Sequence, residues 1–335
     1  MKFPAQTIRL RMPNAMAAAF PPPSPADCTD RADAQRWHAH DIACLAVRSL
    51  HAELCLYPKP GLVSLVDSGS HDDMDAETFM RSLFSLRHYF KRICLAGMDD
   101  APFARLKQLG IAAETAMLAA TRGINTHRGA IFSLGLLCAA AGRAHAGRTP
   151  MSPISPESLR ATLLHRWRDE LAAHANPPLQ GPGNALADAA SPGMQDAAPG
   201  LSNGLRVAIQ HAAAGAREEG ARGLPSVFEV GLPALQATLA RGGGMHRARV
   251  DALYALMAHV SDTNIYHRAG PQGAQTVRAA AQRFLALGGT ANPGWRLEAE
   301  QHHRRFKAQR LSPGGAADLL AATCLVHAIA CRDAR

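Results

Sequence analysis

The chain has 335 residues, a hydrophobic fraction of 47% and a formal net charge of +9, values that exclude global disorder. Only five of its 36 basic residues are lysines, aromatics are 5%, and no basic run interleaves with aromatics, so the charge suits an anionic small substrate better than nucleic acid. Seven scattered cysteines without a CxxC pair exclude a disulfide framework and fit a reducing, cytoplasmic setting.

Residues 1–32 read as a flexible N-terminal arm closed by Pro21–Pro23 and Pro25, too short and too broken for a signal peptide. From Asp33 to Tyr57, Ile42, Leu45, Ala46, Leu50 and Leu54 recur at helical spacing, and Pro58 ends the run. Further helices are predicted over 75–97, 101–121 and 129–143. The longest apolar stretch, around Ala130 to Ala141, falls short of a membrane span. Residues 145–203 read as an irregular Pro/Gly-rich surface insertion around one helix, Pro156 to His174. Helical runs then follow near 204–222, 226–241, 245–261, 273–288, 293–309 and 313–331; Leu62 to Val66 is the one short strand candidate. The fold expected is all-α: a single large helical domain of about ten or eleven helices over 33–333.

Four polar blocks fall at predicted helix boundaries, where unsatisfied amides and free side chains can meet a ligand. In YPKPGLVSLVDSGSHDDMD (57–75), the prolines and Gly61 set a bend that leaves Lys59 projecting. His71, Asp72, Asp73 and Asp75 then crowd the next helix start. One acid suffices for an N-cap; three repel unless a cation holds them, and oxygen ligands suit Mg²⁺. In TRGINTHRGAIFSLG (121–135), Asn125, Thr126, His127 and Arg128 precede an apolar helix whose first amides make a phosphate cradle, with a cap and a solvated Arg as the bland alternative. Glu114 lies seven residues before Thr121, on one helical face. In HVSDTNIYHRAG (259–270), Asp262, Thr263 and Asn264 end one helix, His267 and Arg268 follow, and Asp251 sits three turns upstream. In LSPGGAADLLAAT (311–323), Ser312 and Pro313 open a helix in the favoured order. Gly314 and Gly315 in its first turn cost about 1 kcal/mol each relative to Ala, which points to close approach of a ligand or another helix, and Asp318 follows one turn in. No Walker loop, Rossmann fingerprint, zinc spacing or GxSxG elbow occurs.

Taken together, PKPGLVS (58–64), GSHDDMD (69–75), Glu114 with Thr121, GINTHRGAIFSLG (123–135), SDTNIYHRAG (261–270) and SPGGAADLLAAT (312–323) resemble, in order, the triphosphoribosyl-dephospho-coenzyme A synthase family, in its malonate decarboxylase-associated branch. The chain departs mildly at Ile124, at Ile265–Tyr266 and at Ala316, leaving the polar atoms intact. The resemblance implies transfer of the 5-triphosphoribosyl group of ATP to the 2′-hydroxyl of 3′-dephospho-coenzyme A, with adenine released. A phosphoribosyl-dephospho-coenzyme A transferase and an acyl carrier protein are implied as downstream partners, with no nucleic acid and no membrane. Under that reading Asp73, His71, Glu114 and His127 are candidates for catalysis. Lys59, Asn125, Thr126, Arg128, Asn264, Arg268, Ser312, Gly314 and Gly315 would bind substrate or phosphate; Asp72, Asp73, Asp262 and Asp318 would hold Mg²⁺. A citrate lyase role for the same reaction, and a metal-dependent glycohydrolase of ADP-ribose type, are the alternatives.

Overall fold

The structure, a computed structural model, describes residues 31–146, 154–175 and 217–332, with only the backbone described at 31, 32, 263, 264 and 267. Eleven α-helices lie within those residues: α1 Arg31–Leu54, α2 Ala76–Ser85, α3 Arg87–Met98, α4 Phe103–Ala120, α5 Arg128–Ala146, α6 Pro156–Ala175, α7 Leu232–Ala240, α8 Gly244–His259, α9 Thr263–Ala286, α10 Trp295–Ala308 and α11 Gly314–Arg332. No strand occurs among the described residues, and 62–66 forms turns instead.

Sequence periodicity accounts for most of these helices. In α1 the stripe Ala39, Ile42, Ala46, Leu50 and Leu54 is wholly buried. The single run expected over 75–97 is two helices. Asp75 caps α2 by accepting from the Thr78 amide at 2.9 Å. Leu86 then takes φ −84° and ψ −9°, its amide bonds back to Leu83 and Phe84, and α3 starts at Arg87. The segment 226–241 likewise divides into a π-turn over Ser226–Gly231 and α7.

Three expectations need correction. Residues 156–175 are not part of a surface excursion, because Leu159, Leu163, Trp167 and Leu171 of α6 form a buried stripe at four-residue spacing. The Trp167 indole donates to Ala101 O at 2.9 Å. The SDTN block does not close a helix: α8 ends at His259 and Thr263 begins α9, which bends where Gly270 takes φ +63° ahead of Pro271. The helix expected over 204–222 lies largely outside the described residues, as do the N-terminal arm and 176–203; residues 217–221 are helical.

Two apolar clusters make the interior. One joins α1 to α6, around Leu50, Phe90, Leu134, Leu137 and Trp167; the other joins α7 to α10, around Leu253, Tyr254, Phe284 and Phe306. Helix α11 belongs to both: Ala321, Leu325 and Val326 face the first, Ala316 and Leu320 the second. Its N-terminus therefore opens at the junction of the clusters. In the first cluster α3 and α5 cross at small residues. A Cβ on Gly97 would strike the backbone of Ala139, and one on Gly142 the backbone of Cys94. Helices α5 and α11 are apolar enough by composition to cross a membrane, but 72% and 56% of their most apolar windows are buried inside the protein, as in core helices.

Candidate active site

The chain leaves α1 and crosses between the clusters as a loop over 55–75. That loop is held firmly. Ser70 Oγ donates to Leu311 O at 2.6 Å, and the Ser70 amide to Gly61 O at 2.9 Å. Asp67 receives the Lys307 ammonium at 2.7 Å and lies 3.0 Å from His303 Nε2. Partial burial opposes ionisation of Asp67, but the bonds from Lys307, His303 and the Gly69 amide outweigh it and hold the carboxyl at about 2. A depressed carboxyl stabilises the fold above its unfolded value and loses that contribution as pH falls towards about 2. Asp67→Asn is therefore expected to cost about 1–2 kcal/mol at pH 7, after discounting for solvent screening at a part-exposed pair. Denaturant melts between pH 7 and pH 2 should show this deficit vanishing at the acid end.

Lys59 does not project to solvent as the bend suggested. It is buried, with Nζ 2.6 Å from Glu53 Oε1 and 2.9 Å from Glu53 O. Burial lowers the lysine and raises the glutamic acid, while each partner opposes the other's shift. Further along the loop, His71 Nε2 lies 2.8 Å from Ser312 Oγ, and the Arg268 guanidinium stands 3.2 Å from His71 Nδ1. A guanidinium only donates, so its contact requires Nδ1 to accept and Nε2–H to donate to Ser312, whereas a contact to the Asp73 carboxylate would require a proton on Nδ1. Asp73 lies 3.5 Å from the same Nδ1, and Asp72 pairs with Arg310 at 3.0 Å; both carboxylates are exposed.

Inward, two helix N-termini face the junction, and each is capped by a carboxylate from elsewhere in the chain. Asp262 accepts from the Gly315 amide at 2.6 Å and the Ala316 amide at 3.3 Å, capping α11. Asp318, on α11, accepts from the Gly129 and Ala130 amides and so caps α5. It approaches so closely that a Cβ on Gly129 would collide with its carboxylate. The amides expected to cradle phosphate are thus already bonded to carboxylates, and the Gly314 amide turns to Ser312 O at 2.9 Å. Asp318 lies deep yet keeps some accessible surface. Burial, then the carboxylates of Glu53 and Asp262, raise it well above the usual range.

On the α5 side, His127 is buried and its Nδ1 lies 2.6 Å from Ser82 Oγ, which also receives the Thr126 hydroxyl at 2.7 Å. Asn125 Oδ1 accepts from the Arg128 amide at 3.2 Å, while the Arg128 guanidinium pairs with Glu114. That ion pair occupies both Glu114 and Arg128 at the rim of α4 and α5. The Asn264 side chain lies outside the described residues. Asp251 does not join Asp262; from the middle of α8 it binds Thr238, Arg241 and Thr290.

The candidate metal ligands therefore divide, with Asp72 and Asp73 outside and Asp262 and Asp318 inside. No group of three or more His, Cys, Asp or Glu is assembled to hold an ion among the described residues. The inner pair does fit Mg²⁺ chemistry, which takes one or two carboxylates and completes its shell with phosphates and water. A groove of about 780 Å³ between α9 and α10 shares no residue with this junction. Sequence reasoning missed Glu53, Ser82 and His303. Glu53 carried a readable signal: it is an acid three residues after Leu50, on the apolar stripe of α1.

Comparisons with known proteins identify the family. The family model for ATP:dephospho-CoA triphosphoribosyl transferase matches residues 39–334. A protein of Acinetobacter calcoaceticus named a probable 2-(5″-triphosphoribosyl)-3′-dephosphocoenzyme-A synthase is 38% identical, over 85% of this chain and 90% of its own. A Pectobacterium atrosepticum protein bearing that name without "probable" is 36% identical, over 88% and 90%. A Pseudomonas paraeruginosa relative reaches 39%, over 85% and 88%. No solved structure matches the chain. With nearly all of its helical body covered, the chain belongs to the ATP:dephospho-CoA triphosphoribosyl transferase family and is a transferase.

Proposed function

We propose that the junction of loop 55–75 with the starts of α5, α9 and α11 binds ATP and 3′-dephospho-coenzyme A. There it transfers the 5-triphosphoribosyl group to the 2′-hydroxyl and releases adenine. One observation carries this: Lys59, His71, His127, Asp262, Arg268, Ser312 and Asp318, scattered over 260 positions of sequence, surround one polar junction.

Breaking the N-glycosidic bond builds positive charge on the ribose, which a fixed carboxylate can face. Asp262 supplies that negative charge, and Asp318, whose carboxyl is held protonated by burial and by the Glu53 and Asp262 carboxylates, would ionise beside it as positive charge arrives. The triphosphate, which stays on the sugar, needs cations, and Arg268 and Arg128 stand at the rim with Lys59 beneath. Bound Mg²⁺ would neutralise part of that phosphate charge, with Asp262 and Asp318 holding it. His71 orients Ser312 towards the same space. In the cell this reading places the protein in the cytoplasm, making the precursor of the malonate decarboxylase prosthetic group. A phosphoribosyl-dephospho-coenzyme A transferase and the acyl carrier protein act downstream; citrate lyase is the neighbouring alternative.

The purified chain with ATP, Mg²⁺ and 3′-dephospho-coenzyme A is expected to release adenine and the mass-defined adduct in equal amounts. Coenzyme A, whose 3′-phosphate crowds the acceptor hydroxyl, should react at least about tenfold more slowly, the effect of roughly 1.4 kcal/mol at the transition state. Adenine without adduct would mean water is the acceptor, and the transferase reading of the site would fail.

A further inference from the structure

His127 is a buried titratable group whose hydrogen bonding is half complete. Its Nδ1 is 2.6 Å from Ser82 Oγ, yet its Nε2 is buried without any hydrogen-bond partner. Phe79 lies edge-on to the ring at 4.9 Å, and the His127 amide approaches the Met117 sulfur. A buried ring nitrogen left open on one side is costly unless something arrives to meet it.

The hydroxyls on the other side decide what that nitrogen offers. Thr126 Oγ1 donates to Ser82 Oγ at 2.7 Å. Having accepted that bond, Ser82 has one proton to give, and the neighbouring acceptor is His127 Nδ1. A neutral imidazole that accepts at Nδ1 carries its proton on Nε2. Burial pushes the imidazole down to about 3, and the Lys59 ammonium acts in the same direction, so the ring is neutral at physiological pH.

We propose that Ser82, backed by Thr126, is a positioning residue that fixes His127 as its Nε2–H tautomer, so that His127 donates a hydrogen bond to the bound nucleotide and does not act as a base. The inference rests on the nucleotide-binding reading above, and it gives His127, a candidate for catalysis, the role of a donor.

The test has a spectroscopic arm that needs no substrate. Nitrogen spectra of histidine-labelled protein, assigned with His127→Gln, are expected to show His127 Nδ1 bare and Nε2 protonated. Ser82→Ala should shift His127 towards a mixture of tautomers, and Ser82→Thr, which keeps the hydroxyl, should restore the wild-type pattern. A proton on Nδ1 in the wild-type protein, or a spectrum unmoved by Ser82→Ala, overturns the proposal. In the kinetic arm, Ser82→Ala should lower kcat about tenfold, the effect of one lost or misdirected hydrogen bond, with KM for 3′-dephospho-coenzyme A little changed. His127→Gln, whose amide nitrogen can reach the Nε2 position, should retain more activity than His127→Ala. Equal loss in the two overturns the donor role, since a base is lost equally in both. If wild-type protein releases no adenine, the functional reading fails, and the spectra still decide the part played by Ser82.

Discussion

Asp318→Asn is expected to lower the rate of adenine release by about 10²–10³, the effect of removing one preorganised electrostatic group from a buried site. The same substitution should not unfold the protein. Asp318 lies near the carboxylates of Glu53 and Asp262, and burial followed by those neighbours raises its pKa. The folded state therefore holds a proton that the unfolded chain releases at ordinary acid pH. Such a group stabilises the fold at low pH and loses that contribution as pH rises through its folded value. An asparagine of equal size keeps an oxygen for the Gly129 and Ala130 amides and removes the ionisation. In metal-free buffer the variant should thus melt at or above the wild-type temperature at pH 8, with any advantage shrinking towards pH 4. Activity near wild type, or a collapse of the melting temperature at pH 8, would contradict this account of the residue.

Breaking the Glu53–Lys59 pair should have the largest effect on stability. Both side chains are buried and their charged atoms are 2.6 Å apart. Glu53→Ala leaves an ammonium in the interior with only the Glu53 carbonyl and no counter-charge, at a cost of about 3–5 kcal/mol. Replacing both partners, as Glu53→Gln with Lys59→Met, removes the stranded charge and should recover most of that loss, while activity stays low. Urea melts of the single and double variants measure the difference directly. Strictly additive losses in the double variant would show that the two residues do not act as a pair.

Much of the fold could be read from the sequence because its helices carry their own punctuation. Pro58, Asp75, Gly123, Ser312 and Pro313 mark boundaries that the structure keeps to within a few residues. The breaks at Leu86 and within 226–240 were not legible, since neither a leucine in an apolar run nor a π-turn departs from helical periodicity. At the site, residue identity was more legible than residue partnership. His71, His127, Asp262 and Ser312 are polar at helix boundaries and could be picked out one by one. That Asp318 would bond the first amides of α5, or that Lys59 would turn inward to Glu53, depends on contacts between remote segments. The acid-rich run 71–75 drew attention through its density, yet Asp72 and Asp73 face solvent while the deep carboxylates stand alone in their segments.

The crossed caps on α5 and α11 set the terms on which an anion can enter. A sulfate or free phosphate arriving there finds no vacant row of amides, only carboxyl groups already bonded to them. A polyphosphate that brings its own counter-ion faces a different balance, because the same carboxylates then attract what accompanies it. Under the proposed function the junction would therefore sort visitors by the cation they carry, with the protein's own acids holding the helix starts until such a visitor comes.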